Sequence, residues 1–70
     1  MDMRRIVGKN VRRLRLAKGL TQEQLAVLAG FTQQYLSELE NGKHNPTVVT
    51  LYELSQQLDS TPAEMVTPHG

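Results

Sequence analysis

The chain has 70 residues, a formal net charge of +1 and no cysteine, which excludes disulfide bonds and thiolate metal sites. No apolar run approaches the roughly 20 residues of a membrane-spanning helix, and the arginine-containing start lacks the apolar segment of a signal peptide. Because aromatic residues are few, a single small core must be built from Leu, Val, Ile and Ala, and this favours one all-helical domain.

Charge is distributed unevenly along the chain. Residues 1–18 carry seven basic side chains and one acidic side chain, a net charge of +6, whereas residues 19–70 carry one basic and six acidic side chains, a net charge of −5. Such asymmetry indicates an anionic partner on the basic side, but the solvated face of an amphipathic helix gives the same pattern.

The first predicted helix covers residues 3–18. Val7, Val11 and Leu14 recur at helical spacing and form its buried stripe. Arg15 lies at the border of that stripe, so its apolar stem is expected to be packed and its guanidinium group to need a partner. The far face of this helix is basic and consists of Arg5, Lys9, Arg12 and Arg13.

Two short helices separated by a tight break are predicted at residues 22–29 and 33–40. Thr21 and Gln24 match a capping box at the start of the first helix, Gly30 ends it in a left-handed conformation, and Thr32 caps the second. The residues expected to face inward are Leu25, Ala26, Leu28, Ala29, Leu36 and Leu39. On the opposite side of the second helix lie Gln34, Ser37, Glu38 and Asn41, with Gln33 in the exposed first turn.

Two further helices complete the predicted domain. Thr47 is expected to cap a fourth helix over residues 48–58, with Val48, Leu51, Leu54 and Leu58 facing inward. The run Thr61-Pro62-Ala63-Glu64 combines a capping box with proline at the first helical position, which predicts a last short helix ending at residue 65 or 66. The domain is therefore expected to cover residues 1–66, and residues 67–70 are expected to form a flexible tail.

The segment LTQEQLAVLAGFTQQYLSELENGKHNPTVVTLYELSQQL, residues 20–58, resembles the helix-turn-helix domains of the lambda repressor and Cro type, also called the XRE family. The resemblance extends over residues 4–66. The residues that carry it are Gln22, Leu25-Ala26, Gly30, Leu36, Glu40-Asn41-Gly42, Pro46, Leu51, Leu54 and Leu58. It implies a compact all-α, five-helix, lambda-repressor-like fold in which helices 2 and 3 form the helix-turn-helix and helix 3 enters the DNA major groove.

The resemblance also implies which residues read base edges, namely Gln33, Gln34, Ser37 and Glu38. A glutamine can hold adenine through N6 and N7, but both glutamines could also be ordinary solvated residues at the start of a helix. Glu38 could accept a hydrogen bond from a cytosine N4 amino group, or it could only repel the phosphates of wrong sites.

Phosphate contacts are implied at both ends of the helix-turn-helix and on helix 1. The residues are Gln22, Thr32, Asn41, Lys43, Asn45, Arg12 and Arg13. A helix N-terminus favours an anion, although Thr32 could be a cap alone.

In the resembling domains an arginine near the end of helix 1 pairs with a glutamate at the end of helix 3, so a partly buried salt bridge between Arg15 and Glu40 is expected to be structural. His44 is expected in an exposed loop with no second ligand near in sequence, and no metal, cofactor or small-molecule site is predicted.

The resulting hypothesis is a non-enzymatic, cytoplasmic, sequence-specific transcriptional regulator, encoded by a bacterium or phage and acting as a repressor or autoregulator. A homodimer on a palindromic double-stranded operator is expected, since one small domain has too little surface for tight selectivity. The candidate dimer surface consists of Val49, Tyr52, Met65 and Val66, and the alternative is that these are scattered surface residues. The competing hypothesis is an adaptor or antitoxin-type module that keeps the fold and acts mainly by binding another protein.

Overall fold

The computed structural model describes residues 2–69, which form five α-helices and no strand. The helices are α1 (Met3–Ala17), α2 (Gln22–Ala29), α3 (Gln33–Glu40), α4 (Val48–Gln57) and α5 (Pro62–Met65). The predicted all-α fold with five helices is therefore confirmed. Within the described part of the chain, no helix has the length and apolar character that crossing a membrane requires.

Each helix begins at a side-chain cap. The Asp2 carboxylate accepts a hydrogen bond from the backbone N–H of Arg4. Threonine has the same role at the other helix starts, where it accepts from the N–H three residues later: Thr21, Thr32, Thr47 and Thr61. In α2 the side chain of Gln24 also accepts from the N–H of Thr21, which completes the capping box. Since one N-cap contributes about 1 kcal/mol, these local signals fix where the helices start.

The first four helices also end alike, with a left-handed residue followed by a backbone hydrogen bond that reaches back five residues. At the end of α2, Gly30 has a φ of 79° and the N–H of Phe31 donates to the carbonyl of Ala26 at 2.8 Å. Glycine adopts this conformation without the steric cost that a Cβ atom adds. After α4 the same position is held by Asp59, with a φ of 52°.

One hydrophobic core receives side chains from every helix. Its buried members are Val7, Val11, Leu25, Ala26, Leu36, Leu39, Leu51, Leu54, Leu58 and Met65. Leu14, Leu20, Ala29, Phe31 and Tyr35 are partly buried against them. Because complete burial of such a side chain contributes roughly 1.5–3 kcal/mol, this cluster is the main source of stability and holds α3 in place.

Two apolar residues that were predicted to face inward are exposed. The buried side of α2 is formed by Leu25 and Ala26, and Leu28 lies on the outer side of that helix. Val48 is the first residue of α4, and the buried face of α4 starts one turn later at Leu51. Helical spacing places Leu28 and Val48 next to the buried faces of α2 and α4, but neither residue is covered by a neighbouring helix.

Met65 lies in the core, so the prediction that it forms part of a dimer surface is wrong. Its side chain is 0% exposed, and it is the buried residue through which the four-residue helix α5 is anchored. A side chain enclosed in this way is not available to a second copy of the chain.

Asn10 fastens the end of α5 to α1. Asn10 is buried, and its Nδ2 donates to the carbonyls of Glu64 at 3.2 Å, Met65 at 2.8 Å and Thr67 at 2.9 Å. These carbonyls lie at and just beyond the end of α5, where backbone donors within a helix run out. The tail predicted to be flexible begins at Thr67, whose carbonyl is held by this contact, and its last residue, Gly70, lies outside the described residues.

At Gly8, α1 passes close to the end of α3. A Cβ atom on Gly8 would lie 2.6 Å from the carbonyl oxygen of Leu39 and 2.7 Å from that of Glu40. We expect Gly8→Ala to lower the free energy of unfolding by about 1 kcal/mol, because an overpacking cost of about 1–3 kcal/mol exceeds the helix-propensity gain of roughly 1 kcal/mol. Urea unfolding followed by circular dichroism measures the change. A variant more stable than the wild type would show that this close approach does not constrain α1.

Candidate nucleic-acid interface

The angle between α2 and α3 is set by a three-residue connection, residues 30–32. The N–H of Phe31 donates to the carbonyl of Ala26, and the hydroxyl oxygen of Thr32 accepts from the N–H of Tyr35 at 3.0 Å. Leu25 and Leu36 are completely buried where the two helices pack together. Backbone bonds at the turn and core contacts between the helices therefore fix the orientation of α3.

The outer side of α3 is polar. The residues predicted to read bases lie there, with Gln33 and Gln34 exposed and Ser37 and Glu38 half-buried. The opposite side of the helix carries Leu36 and Leu39, which are fully buried. The structure thus brings the four polar side chains together on two successive turns of one helix. The diameter of such a helix, about 10–12 Å, fits the major groove, which is about 12 Å wide.

His44 joins this polar side, which the sequence analysis did not predict. Its Nε2 lies 3.0 Å from Oε1 of Glu38, and its ring stacks on that of Tyr35 with the centroids 4.8 Å apart. The cause is the turn at Gly42, since the N–H of Lys43 donates to the carbonyl of Glu38 and folds the loop back along α3. The Asn-Gly-Lys helix end could have indicated this return, but the partner of His44 depends on the path of the loop.

Arg15 and Glu40 form the expected ion pair, and it is bidentate. Nε of Arg15 donates to Oε2 of Glu40 at 2.7 Å and Nη2 donates to Oε1 at 3.0 Å. The two side chains are 9% and 3% exposed. Nη1 of Arg15 also donates to the carbonyl of Leu20 at 2.8 Å, and Nε2 of Gln22 donates to Oε1 of Glu40 at 3.1 Å. This network ties the end of α1, the start of α2 and the end of α3 to one another.

The basic face of α1 is divided between two sides of the molecule. Arg5, Lys9 and Arg12 line an open cleft beside Asn41, at the end of α3. Arg13 lies instead on the α5 side, where its Nη2 is 3.4 Å from Oδ1 of Asn10 and 4.0 Å from a carboxylate oxygen of Glu64. Arg13 therefore lies apart from Arg12, and its contact with the DNA backbone stays a prediction, whereas Arg5 and Lys9 lie in the same cleft as Arg12.

The other residues implied in phosphate contacts surround α3. Thr32 is at its first turn, Asn41 and Lys43 are exposed just after it, and the amide of Gln22 keeps a second N–H besides the one donated to Glu40. Asn45 is farther along the loop and lines a small cleft with residues of α1 and α4 and with Val66, just after α5.

Besides Met3 and Leu16 on α1, two groups of apolar side chains are exposed. The first group contains the three exposed residues of the predicted dimer surface, which are Val49 and Tyr52 on α4 and Val66 just after α5. On α2, Val27 and Leu28 line an open cleft together with Leu20 and the acidic Glu23. The second group had not been predicted, because Leu28 was expected in the core.

Comparison with known proteins agrees with this geometry. A family model described as helix-turn-helix matches residues 11–65. The HTH-type transcriptional regulator y4dJ of Sinorhizobium fredii, itself uncharacterised, is 60% identical over 68 residues, which are 97% of this chain and 88% of that protein.

Two solved structures are also similar. The restriction-modification controller protein C.AhdI of Aeromonas hydrophila is 39% identical with a TM-score of 0.84, over 89% of this chain and 94% of that one. The biofilm regulator SinR, solved in complex with DNA, is 29% identical with a TM-score of 0.83, over 87% of this chain and 98% of that one. The chain therefore belongs to the XRE-type helix-turn-helix family.

Proposed function

We propose that the chain is a sequence-specific, DNA-binding transcriptional regulator that reads the major groove with α3. The observation that carries this proposal is the polar outer side of α3, held at a fixed angle by a short turn and by the buried pair of Arg15 and Glu40. The base-reading residues in this proposal are Gln33, Gln34, Ser37 and Glu38. The similarity to SinR, which was solved bound to DNA, supports the same role here.

Phosphate contacts are assigned to polar and basic residues around α3. At the N-termini of α2 and α3 the free backbone N–H groups favour an anion. The side chains proposed to contact phosphates are Gln22, Thr32, Asn41, Lys43, Asn45, Arg5, Lys9 and Arg12. The cleft formed by Arg5, Lys9 and Arg12 lies beside the end of α3, so it is suited to follow the DNA backbone next to the groove that α3 occupies.

We further propose a homodimer that binds a palindromic operator in the cytoplasm of a bacterium or a phage-infected cell, without enzymatic activity. Two copies on half-sites roughly 34 Å apart double the number of base contacts. The exposed residues Val49, Tyr52 and Val66 are the proposed contact surface between the copies. The controller protein C.AhdI supports a regulatory role for a chain of this size.

The alternative is a module that keeps the fold and binds another protein. The observation in its favour is the exposed apolar cleft of Leu20, Val27 and Leu28 on α2, which lies apart from the proposed base-reading residues. Selection from a pool of random DNA duplexes separates the two functions. A regulator enriches a defined, palindromic motif, and a module that only binds protein enriches none.

The glutamines of α3 allow a sharper test of the reading role. We expect Gln34→Ala to relax the preference at one base pair by about 1–3 kcal/mol, because a bidentate contact to adenine is lost. The matched control is Lys43→Ala, which should weaken binding to all sequences about equally, since a phosphate contact carries no base information. Competition binding on a set of singly substituted operators measures both. An unchanged base preference in Gln34→Ala would place Gln34 outside the reading set.

A further inference from the structure

We infer that His44 is a positioning residue for base recognition: it holds the Glu38 carboxylate on the outer side of α3, where Glu38 accepts a hydrogen bond from a cytosine amino group. This inference rests on the proposed reading role of α3 and specifies one of its base contacts. His44, a loop residue, would thereby influence which base is selected, although the His44 side chain does not contact that base.

The contact between His44 and Glu38 uses one carboxylate oxygen and leaves the other able to accept a hydrogen bond from a base. Nε2 of His44 is 3.0 Å from Oε1 of Glu38, and an ionised carboxylate only accepts hydrogen bonds, so the nitrogen that faces it carries a hydrogen. Oε2 of Glu38 is not used in this contact. The two side chains are 36% and 39% exposed, so the pair lies at the surface where a base edge can approach.

Aromatic stacking fixes the position of the imidazole ring. The rings of His44 and Tyr35 are stacked, with the centroids 4.8 Å apart and the planes 27° from parallel. Tyr35 in turn contacts Phe31 at a centroid distance of 5.3 Å, and both rings pack against the core. A row of three rings therefore connects the core to the hydrogen bond on Glu38 and restricts the orientation of the His44 ring.

A held carboxylate has a defined preference in the major groove. Cytosine N4 and adenine N6 are the amino donors there, but the adenine N7 acceptor lies beside N6 and repels a carboxylate, as do guanine O6 and thymine O4, so cytosine is the preferred partner. A glutamate side chain without a partner in the protein loses conformational entropy when it contacts a base. Because His44 already holds Glu38 in position, that entropy loss is smaller. If Glu38 only repelled phosphates, its effect would not depend on a fixed orientation.

Two substitutions at His44 separate the hydrogen bond from the stacking. His44→Phe keeps a ring on Tyr35 and removes the N–H, whereas His44→Gln places an amide N–H at the same number of bonds from Cα and removes the ring. Each is compared with the wild type, Glu38→Ala and the double variant His44→Phe/Glu38→Ala. The measurement is competition binding against operators changed one base pair at a time, with circular dichroism to confirm that every variant is folded.

We expect Glu38→Ala to lower the preference for a C·G pair at one position by about fivefold or more, the lower end of what one base contact contributes. His44→Phe should lower it at the same position. His44→Gln should lower it less than His44→Phe but not keep it in full, because its amide N–H is no longer held by stacking on Tyr35. The double variant should show no loss beyond Glu38→Ala alone.

The failures of the two proposals are distinguishable. If Glu38→Ala changes the base preference and His44→Phe does not, the inference about His44 is overturned and the reading role of α3 stands. If Glu38→Ala instead binds every sequence more tightly by the same factor, Glu38 repels phosphates, and the inference about His44 is again overturned. The reading role of α3 is then still tested by Gln34→Ala. If neither Gln34→Ala nor Glu38→Ala alters any base preference, the proposed reading face is itself wrong.

Discussion

Replacing Glu40 with alanine should lower the free energy of unfolding by about 3–5 kcal/mol, because it leaves the charge of Arg15 buried without a counter-ion. Both carboxylate oxygens of Glu40 accept from Arg15, at 2.7 and 3.0 Å, and the Arg15 side chain is only 9% exposed. After the substitution the guanidinium group would retain the carbonyl of Leu20 as its acceptor. Gln22 would also lose the acceptor of its amide N–H.

A loss of this size is a large part of the stability of such a domain. At roughly 0.05–0.15 kcal/mol per residue, a chain of 70 residues has about 3–10 kcal/mol in total. Glu40→Ala is therefore expected to be partly unfolded at room temperature and to bind DNA weakly for that reason. Urea unfolding monitored by circular dichroism, started from low temperature, gives the midpoint and the slope from which the difference is obtained.

Two control variants separate the buried charge from other effects. Glu53 is an exposed glutamate of α4, and Glu53→Ala should change stability by no more than about 0.5 kcal/mol. Arg15→Met/Glu40→Leu removes both charges and should cost less than Glu40→Ala, since no unpaired ion remains. A Glu40→Ala variant as stable as Glu53→Ala would mean that the ion pair is not buried in solution.

The helix boundaries could be predicted because their signals are local. Thr21 and Gln24, which form the capping box of α2, lie three residues apart, and Gly30 directly follows the last residue of α2. Both features depend only on hydrogen bonds to backbone groups a few residues away. The ion pair of Arg15 and Glu40 joins residues 25 positions apart. Spacing alone could not have paired them, and the resemblance to a known family supplied the expectation.

Other features depend on which surfaces the helices cover, and this is not visible in one helix alone. Periodicity places Leu28 and Val48 near buried stripes, but only the packed structure shows that no neighbouring helix reaches them. The same limit explains Arg13, since α1 is basic over much of its circumference and the packing of α3 and α5 decides which arginines face which side. The contacts of Asn10 and Gly8 could not be predicted, because neither residue type indicates its partner on another helix.

Asn10→Leu is expected to lower the free energy of unfolding by about 2–4 kcal/mol. The substitution keeps the branched shape of the side chain with a larger volume, and it removes the N–H groups that donate to the carbonyls of Met65 and Thr67 at 2.8 and 2.9 Å. A buried polar group left without its partner costs about 1–3 kcal/mol, which applies to the carbonyl of Met65, and the larger leucine adds an overpacking cost of about 1–3 kcal/mol. Urea unfolding measures the change, and Asn45→Ala, at an exposed asparagine, is the control.

The loss should begin at α5, because that helix has four residues and one buried side chain, Met65, to hold it once Asn10 is replaced. Hydrogen exchange at the amides of Met65 and Val66 should therefore accelerate more than exchange in α3. Asn10→Asp provides a stricter comparison, since a carboxylate that only accepts hydrogen bonds would then face carbonyl oxygens. If Asn10→Asp were as stable as the wild type, Asn10 could not be the donor that fastens α5. If the proposed dimer surface at Val66 depends on a fixed α5, Asn10→Leu should also weaken dimerisation, which sedimentation at several concentrations would detect.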